Sequence, residues 1–192
     1  VGDIAVEGRV KGDTLGRIWR TFVRRGHDAR VGPRLRPALL TQLKNGWIYA
    51  SEWYPIEYYL SLYGALRDLA GHDEVVATAH ASVLSSLTQG SWRVFVPIIA
   101  GLAPDAFCQR GIRRFELVYK ITFEPGEAKV NAHTGGAEVS VTRTPWSADL
   151  AWRGGVTGGL LTVATIAKLK GSCVVSDGPE GQVTFTVRWT KP

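Results

Sequence analysis

Residues 147–170 read SADLAWRGGVTGGLLTVATIAKLK, and residues 171–189 read GSCVVSDGPEGQVTFTVRW. In the first segment Leu150, Trp152, Leu160, Leu161, Val163, Ile166 and Leu169 supply packing positions, and the spacing predicts one helix over 147–170. Its glycines, Gly154, Gly155, Gly158 and Gly159, each cost about 1 kcal/mol against Ala in a helix. A helix that carries four of them is expected to let another part of the chain approach its backbone. The expected neighbour is the sheet; anion binding at a helix N-terminus is the alternative. In the second segment Val183, Phe185, Val187 and Trp189 alternate with Thr184, Thr186 and Arg188, the period-two signature of a half-buried strand. Cys173-Val174-Val175 precedes it across a turn of Ser176-Asp177-Gly178-Pro179-Glu180-Gly181, so the chain is expected to close in a β-hairpin.

Upstream of this unit, Leu117, Tyr119, Ile121 and Phe123 alternate with Val118, Lys120 and Thr122, which predicts a further strand. Glu124-Pro125-Gly126-Glu127 reads as a turn, Ala128, Val130 and Ala132 as a second strand, and Val139 and Val141 as a third after Gly135-Gly136. Before residue 115 the period is helical. Leu15, Ile18, Trp19, Phe22 and Val23 form one stripe, with Asp13 as the expected cap and Gly26 as terminator. Further helices are expected from about Arg36 to Lys44, from Pro55 to Gly71, and from Asp73 to Gly90 with Val76, His80, Val83, Leu84 and Leu87 inward. Pro97 within the apolar run Trp92–Leu102 predicts a kink or a short broken helix, and Pro104 opens another helix containing Phe107, Cys108 and Ile112. The expected architecture is α+β: an N-terminal helical layer packed on an antiparallel sheet with one late crossover helix, β-β-β-α-β-β. Residues 1–192 are read as a single domain, mainly helical over 1–115 and mainly sheet plus one helix over 116–192.

Composition agrees with an ordinary globular chain. At 192 residues, 45% hydrophobic and 21% charged, it excludes a disordered tail, a collagen-like fibre and a disulfide-dense module. Residues 1–36 hold nine basic and four acidic side chains, which places +5 of the net +6 there. Arg17, Arg20, Arg24 and Arg25 form a basic patch on the first helix, either a footprint for an anionic partner or a solvated helix face. Cys108 and Cys173 stand 65 positions apart with no metal-ligand spacing; they are read as free thiols in a reducing cytoplasm, with one disulfide as the alternative. No apolar stretch reaches the length of a membrane span, and Val1–Arg9 has no signal-peptide pattern.

Among His27, His72, His80 and His133, only His80 falls on an apolar helix stripe, as a core histidine or as a ligand contact. The connector and helix start with Trp47, Tyr49, Trp53, Tyr54, Tyr58 and Tyr59 concentrate aromatics with polar tips, suited to a ligand vestibule or to interior packing. No nucleophile elbow, P-loop or dinucleotide fingerprint is present, and the Gly-rich run lacks the Lys-Ser/Thr of a phosphate loop. No feature of the sequence argues positively for an enzyme.

The Trp53-Tyr54-Pro55 helix opening, the basic first helix, the Gly-rich late helix and the closing Val187-Arg188-Trp189 resemble an uncharacterised paralogous family abundant in myxobacteria. That family's fold is similar to the haem–nitric-oxide-binding, four-vinyl-reductase and TRAPP-subunit group, and the resemblance spans roughly residues 8–190. It implies a helical layer over an antiparallel sheet crossed by a late helix, with dimer interfaces or apolar pockets built by the helical layer. Four-vinyl-reductase relatives carry a metal-site Cys in the final hairpin, whereas residues 177–182 here contain none. Haem binders of the group use a Tyr-x-Ser-x-Arg motif, which is absent. Neither a metal nor a haem carries over, and no cofactor is expected.

The expectation is therefore a non-catalytic, cytoplasmic ligand-sensing or protein-interaction module, acting as a homodimer or with a partner protein. Trp47, Trp53, Tyr54, Tyr58 and His80 are the candidate lining of an aromatic pocket for a small apolar ligand. The alternative is a nucleic-acid or acidic-surface binder using Arg17, Arg20, Arg24 and Arg25.

Overall fold

The C-terminal alternation becomes the centre of a sheet. The structure, a computed structural model, describes residues 7–87 and 98–192. Strand β7 (Val183–Thr190) buries Val183, Phe185, Val187 and Trp189 on one face and pairs on both edges. β5 (Gly136–Thr142) flanks it with Val139 opposite Phe185, and β6 (Lys170–Asp177) flanks the other edge with Val175 opposite Phe185. β4 (Glu127–His133) completes the antiparallel order β4-β5-β7-β6. A second, small sheet joins β1 (Arg9–Lys11) to β2 (Trp53–Pro55) and β3 (Phe123–Glu124), with β1 in the middle.

The helical layer comprises α1 (Gly12–Arg25), the short α2 (Asp28–Val31), α3 (Pro37–Lys44), α4 (Ile56–Ala70), α5 (His72–Leu87), α6 (Pro104–Arg113) and α7 (Phe115–Thr122). The crossover helix α8 (Leu150–Ile166) starts where the Asp149 carboxylate accepts hydrogen bonds from the Ala151 and Trp152 N–H groups at 2.7 and 3.0 Å. The fully buried Trp152 meets Phe185 of the sheet edge-on at 5.8 Å between ring centroids. The fold is thus α+β, with N-terminal helices over antiparallel strands and a β-β-β-α-β-β order from β3 onward.

Several local expectations change. Residues 117–122 are helical, not a strand, so the sheet half of the chain begins with a helix. The run carries both periods at once: Phe115, Tyr119 and Phe123 repeat every four residues, while Leu117, Tyr119, Ile121 and Phe123 repeat every two. Tertiary packing chooses the first, because Tyr119 and Phe123 pack together with tilted rings at 5.3 Å and Phe123 meets Tyr59 of α4 edge-on at 5.3 Å. Leu117, Val118 and Ile121 are left exposed.

The glycines of α8 meet helices instead of the sheet. Gly155 lies against the Tyr59 hydroxyl, and Gly158 against the α5 backbone at Val76 and His80. A side chain at Gly158 would stand between two helix backbones. The register of α5 follows from this contact: it buries Val75, Thr78, Ala79 and Ser82, not the expected stripe of Val76, His80, Val83, Leu84 and Leu87. α1 begins at Gly12, with Lys11 at the capping position and Asp13 inside the first turn, where its charge suits the helix end. It ends at Gly26 in the left-handed conformation, as expected. α8 is shorter than the predicted 147–170. Most of the Trp92–Leu102 kink prediction, including Pro97, lies outside the described residues.

Candidate functional site

A cavity of about 590 Å³ opens within the helical layer, between α1, α4, α5, α6, α7 and α8. The i, i+4 spacing of Tyr59 and Tyr63 puts both phenols on the inward face of α4, edge to face at 5.0 Å. Phe123, in contact with Tyr59, and Tyr119 continue this wall, and the Tyr119 hydroxyl sits 2.7 Å from that of Thr144 in a buried pair. Gly155 and Gly159 form a side-chain-free strip of wall along α8, so the glycines that admit Tyr59 also make room beside it. Phe107, Ala106 and Gly111 of α6 and Phe115 and Val118 of α7 add to the apolar lining.

α6 is held in place by its own acid. Asp105 Oδ1 accepts from the Gly135 N–H at 2.8 Å and the Trp189 indole N–H at 2.6 Å, and Oδ2 accepts from Gln109 at 2.7 Å. These donors, the Gly135 amide first, hold the Asp105 carboxyl below its ordinary value. The wall of the cavity is thereby fastened to the turn between β4 and β5 and to the last strand.

Burial raises the pKa of the wall phenols and so opposes their ionisation. Tyr59 and Tyr63 are pushed well above the ordinary tyrosine value by desolvation, against a smaller opposing pull from the Arg17 guanidinium. Burial likewise raises Tyr119. These side chains are neutral phenols at physiological pH, and their edges add polarity to a mostly apolar enclosure.

Of the residues singled out from sequence, Trp47, Trp53, Tyr54, Tyr58 and His80 lie outside this cavity lining. Tyr54 and Tyr58 stack at 6.2 Å, and the Tyr54 hydroxyl accepts from the Tyr49 N–H at 2.9 Å. Lys11 lies over the Trp53 ring at 4.4 Å, while Trp47 is exposed. This group sits around β2 and the loop before it. His80 turns toward α8, its Nε2 2.8 Å from the Thr165 hydroxyl, and burial lowers its pKa.

The basic patch divides. Arg17 points into the cavity region and Arg25 is engaged by Glu74 at 2.5 Å; Arg20 and Arg24 stay on the exposed side, with Arg24 donating to Thr21 at 3.0 Å. The helical spacing of Ile56, Tyr59, Leu60, Tyr63, Leu66 and Leu69 already puts Tyr59 and Tyr63 on one stripe of α4, whereas a strand over 117–123 hides the wall formed by Tyr119 and Phe123. Only the helical alternative for that run would have paired Phe115 with Tyr119.

Cys108 and Cys173 are free thiols, the first buried and the second half-buried. Burial pushes both up to about 11. Among the described residues no group of three His, Cys, Asp or Glu side chains could hold a metal ion, and no helix is long and apolar enough to cross a membrane.

No protein-family model and no curated protein matches this chain. Solved structures do resemble it in fold. A variant of the unliganded Fe(II) H-NOX protein from K. algicida superposes with a TM-score of 0.61 at 14% identity, covering 94% of this chain and 97% of that one. A variant of the T. tengcongensis H-NOX gives 0.59 at 10% identity, covering 95% and 98%. An oxygen-binding H-NOX domain related to soluble guanylate cyclases, solved as its oxygen complex, gives 0.59 at 11% identity, covering 95% and 96%. The likeness is one of fold, over nearly the full length of each chain.

That fold group implies a haem, so the cavity residues must be judged against one. Haem iron is held by His, Cys thiolate, Met or Tyr. None of the chain's four histidines lines the cavity, and the sequence contains no methionine. Neither cysteine lines the cavity, and burial holds the wall phenols neutral, which opposes the phenolate a tyrosine ligand must become. The residues present do not fit a haem.

Proposed function

We propose that this chain is a non-catalytic, cytoplasmic ligand-sensing module that encloses a small, largely apolar molecule in the helical-layer cavity. The observation that carries the reading is the cavity itself. At about 590 Å³, walled by Tyr59, Tyr63, Phe107, Phe115, Tyr119 and the glycine strip of α8, it has the size and lining of a small-molecule site. The likeness to H-NOX domains supports the same reading at the level of fold. The aromatic group at β2, with Trp53, Tyr54 and Tyr58, is proposed as an outer surface for a partner, since it stands apart from the cavity lining. The residues Trp53-Tyr54-Pro55 and Val187-Arg188-Trp189 place the chain, on this proposal, with the myxobacterial paralogues they resemble.

The test is occupancy of the cavity by a neutral apolar reporter. Nile red should bind the wild-type protein with a blue-shifted emission. Gly159→Leu, which builds a side chain from the cavity wall, should abolish that binding while the circular dichroism spectrum is retained. A Cβ at this position has Val83 Cγ2 at 3.7 Å as its nearest neighbour, an ordinary contact. Unchanged Nile red binding in a folded Gly159→Leu variant refutes the reading.

A second reading, self-association, is favoured by the outer side of α7, where Leu117 and Ile121, which do not line the cavity, are 58% and 55% exposed. Sedimentation equilibrium on the wild type and on Leu117→Glu/Ile121→Glu tests it. A wild-type chain that stays monomeric at high concentration refutes it.

A further inference from the structure

The charged side chains lining the cavity are all of one sign. Arg17, Arg110 and Arg114 contribute to the lining, and no Asp, Glu, Lys or His accompanies them among the described residues. Arg110 and Arg114 are exposed at the mouth. Arg17 is different: its side chain is 24% exposed and reaches inward from α1. One terminal nitrogen, Nη2, donates to the Thr14 hydroxyl at 3.2 Å, and Nη1 lies 3.4 Å from Ser86 Oγ and 3.6 Å from Asp13 Oδ2. The Asp13 carboxyl is itself more than half exposed and outside the lining. The Nε–H is closed off from the cavity space and has no acceptor among the described residues, so the terminal nitrogens are the part of the guanidinium a ligand can meet. An arginine donates in a fixed planar fork that matches the two oxygens of a carboxylate.

We infer, on the footing of the cavity reading above, that the molecule bound here is an amphipathic monoanion, an apolar body with a carboxylate head paired with the terminal nitrogens of the Arg17 guanidinium. Each part of the site has a place in this assignment. Nη2 carries two hydrogens, so it keeps Thr14 while it meets the ligand. The rest of the lining is mostly apolar with phenols, where a charge-assisted hydrogen bond gains strength from exclusion of water. One inward guanidinium suits a single negative charge; a phosphate dianion with three acceptor oxygens calls for more donors than Arg17 alone offers. Arg110 and Arg114 at the mouth raise the local concentration of anions and steer them inward. Phe107, Phe115 and Val163 accommodate the apolar body.

The experiment compares a matched pair, decanoate and 1-decanol, by isothermal titration calorimetry on the wild-type chain and on Arg17→Gln. Decanoate should bind the wild type about tenfold or more tightly than 1-decanol, the ratio expected when a charge-assisted bidentate pair replaces a neutral hydroxyl contact. Arg17→Gln should bring the two affinities close together, chiefly by weakening decanoate. Equal binding of acid and alcohol by the wild type overturns the carboxylate assignment and leaves the apolar cavity standing. Binding of neither, together with no Nile red uptake, overturns both. If Arg17→Gln does not fold, Arg17→Lys serves: it keeps the charge but loses the fork, and undiminished preference for decanoate in that variant overturns the assignment of the head group to the guanidinium edge.

Discussion

Gly158→Ala adds one methyl group to the middle of α8, and its effect can be worked out from two opposing quantities. Alanine favours a helix over glycine by about 1 kcal/mol. Against this, the new Cβ would overlap the Val76 carbonyl and stand 2.7 Å from both Ala79 Cβ and the His80 N–H of α5. Two of those three neighbours are backbone atoms, so no side-chain rotation relieves the overlap and the helices must move apart. Overpacking of this kind costs roughly 1–3 kcal/mol, and backbone contacts put it toward the upper part of that range. The net expectation is a loss of about 1–2 kcal/mol, or a fall in Tm of roughly 2–8 °C for a chain of this size. The control is Gly64→Ala in α4, where an added Cβ meets nothing within 4 Å. There the helix propensity acts alone, and Tm should rise by roughly 2–4 °C. Differential scanning calorimetry of the two variants and the wild type gives the comparison. A Gly158→Ala protein stabilised as much as Gly64→Ala would refute the close approach of α5 and α8.

Other outcomes follow from single residues. Glu74 Oε1 gathers Arg25 at 2.5 Å, His27 at 2.8 Å and Thr78 at 3.1 Å, and these contacts outweigh burial and hold its carboxyl below the ordinary 4.5. Its stabilisation is therefore present above pH 4.5 and lost as pH falls through the lower folded value; Glu74→Gln should cost about 1–2 kcal/mol in urea unfolding at pH 7 and much less at the acid end, and a pH-independent cost would contradict this. Cys108 and Cys173, both raised to about 11, should react with Ellman's reagent at pH 8 only as fast as the chain opens, since about one thiol in a thousand is ionised. A rapid two-equivalent burst from the folded protein would show that the thiols are accessible. Trp53→Ala removes a half-buried ring and its contact with Lys11, so its stability loss should be about 1–2 kcal/mol, below the 3–5 typical of a fully buried Trp. A loss above 3 kcal/mol in chemical denaturation would make Trp53 a core residue and remove it as a surface for partners.

The parts of the fold legible in the sequence are those where local chemistry and tertiary packing ask for the same conformation. Val183, Phe185, Val187 and Trp189 face the core because their alternation leaves a strand only one way to bury them. Gly26 ends α1 because a left-handed residue is cheapest as glycine, and Asp149 starts α8 because its carboxylate meets two orphan N–H groups. Residues 117–123 are the counter-example. Their apolar side chains satisfy a strand and a helix equally, and only the seat for Tyr119 and Phe123 beside Tyr59 separates the two. The face of α5 was hidden for a similar reason, because glycines some eighty residues away determine which side of it packs.

The candidate site divides along the same line. The sequence by itself determined that the chain is α+β, that its basicity is concentrated in the first 36 residues, that a glycine-rich helix needs a close neighbour, and that its thiols have no metal-ligand spacing. It could not show that Arg17 leaves the other arginines of α1 and turns inward, nor that Tyr59, Tyr63 and Tyr119 meet around one cavity. Those facts depend on which helix faces meet across long separations in the chain. A cavity has no residues of its own; it is the space left when six helices of fixed shape pack together, and local sequence carries no signal for the shape of that space.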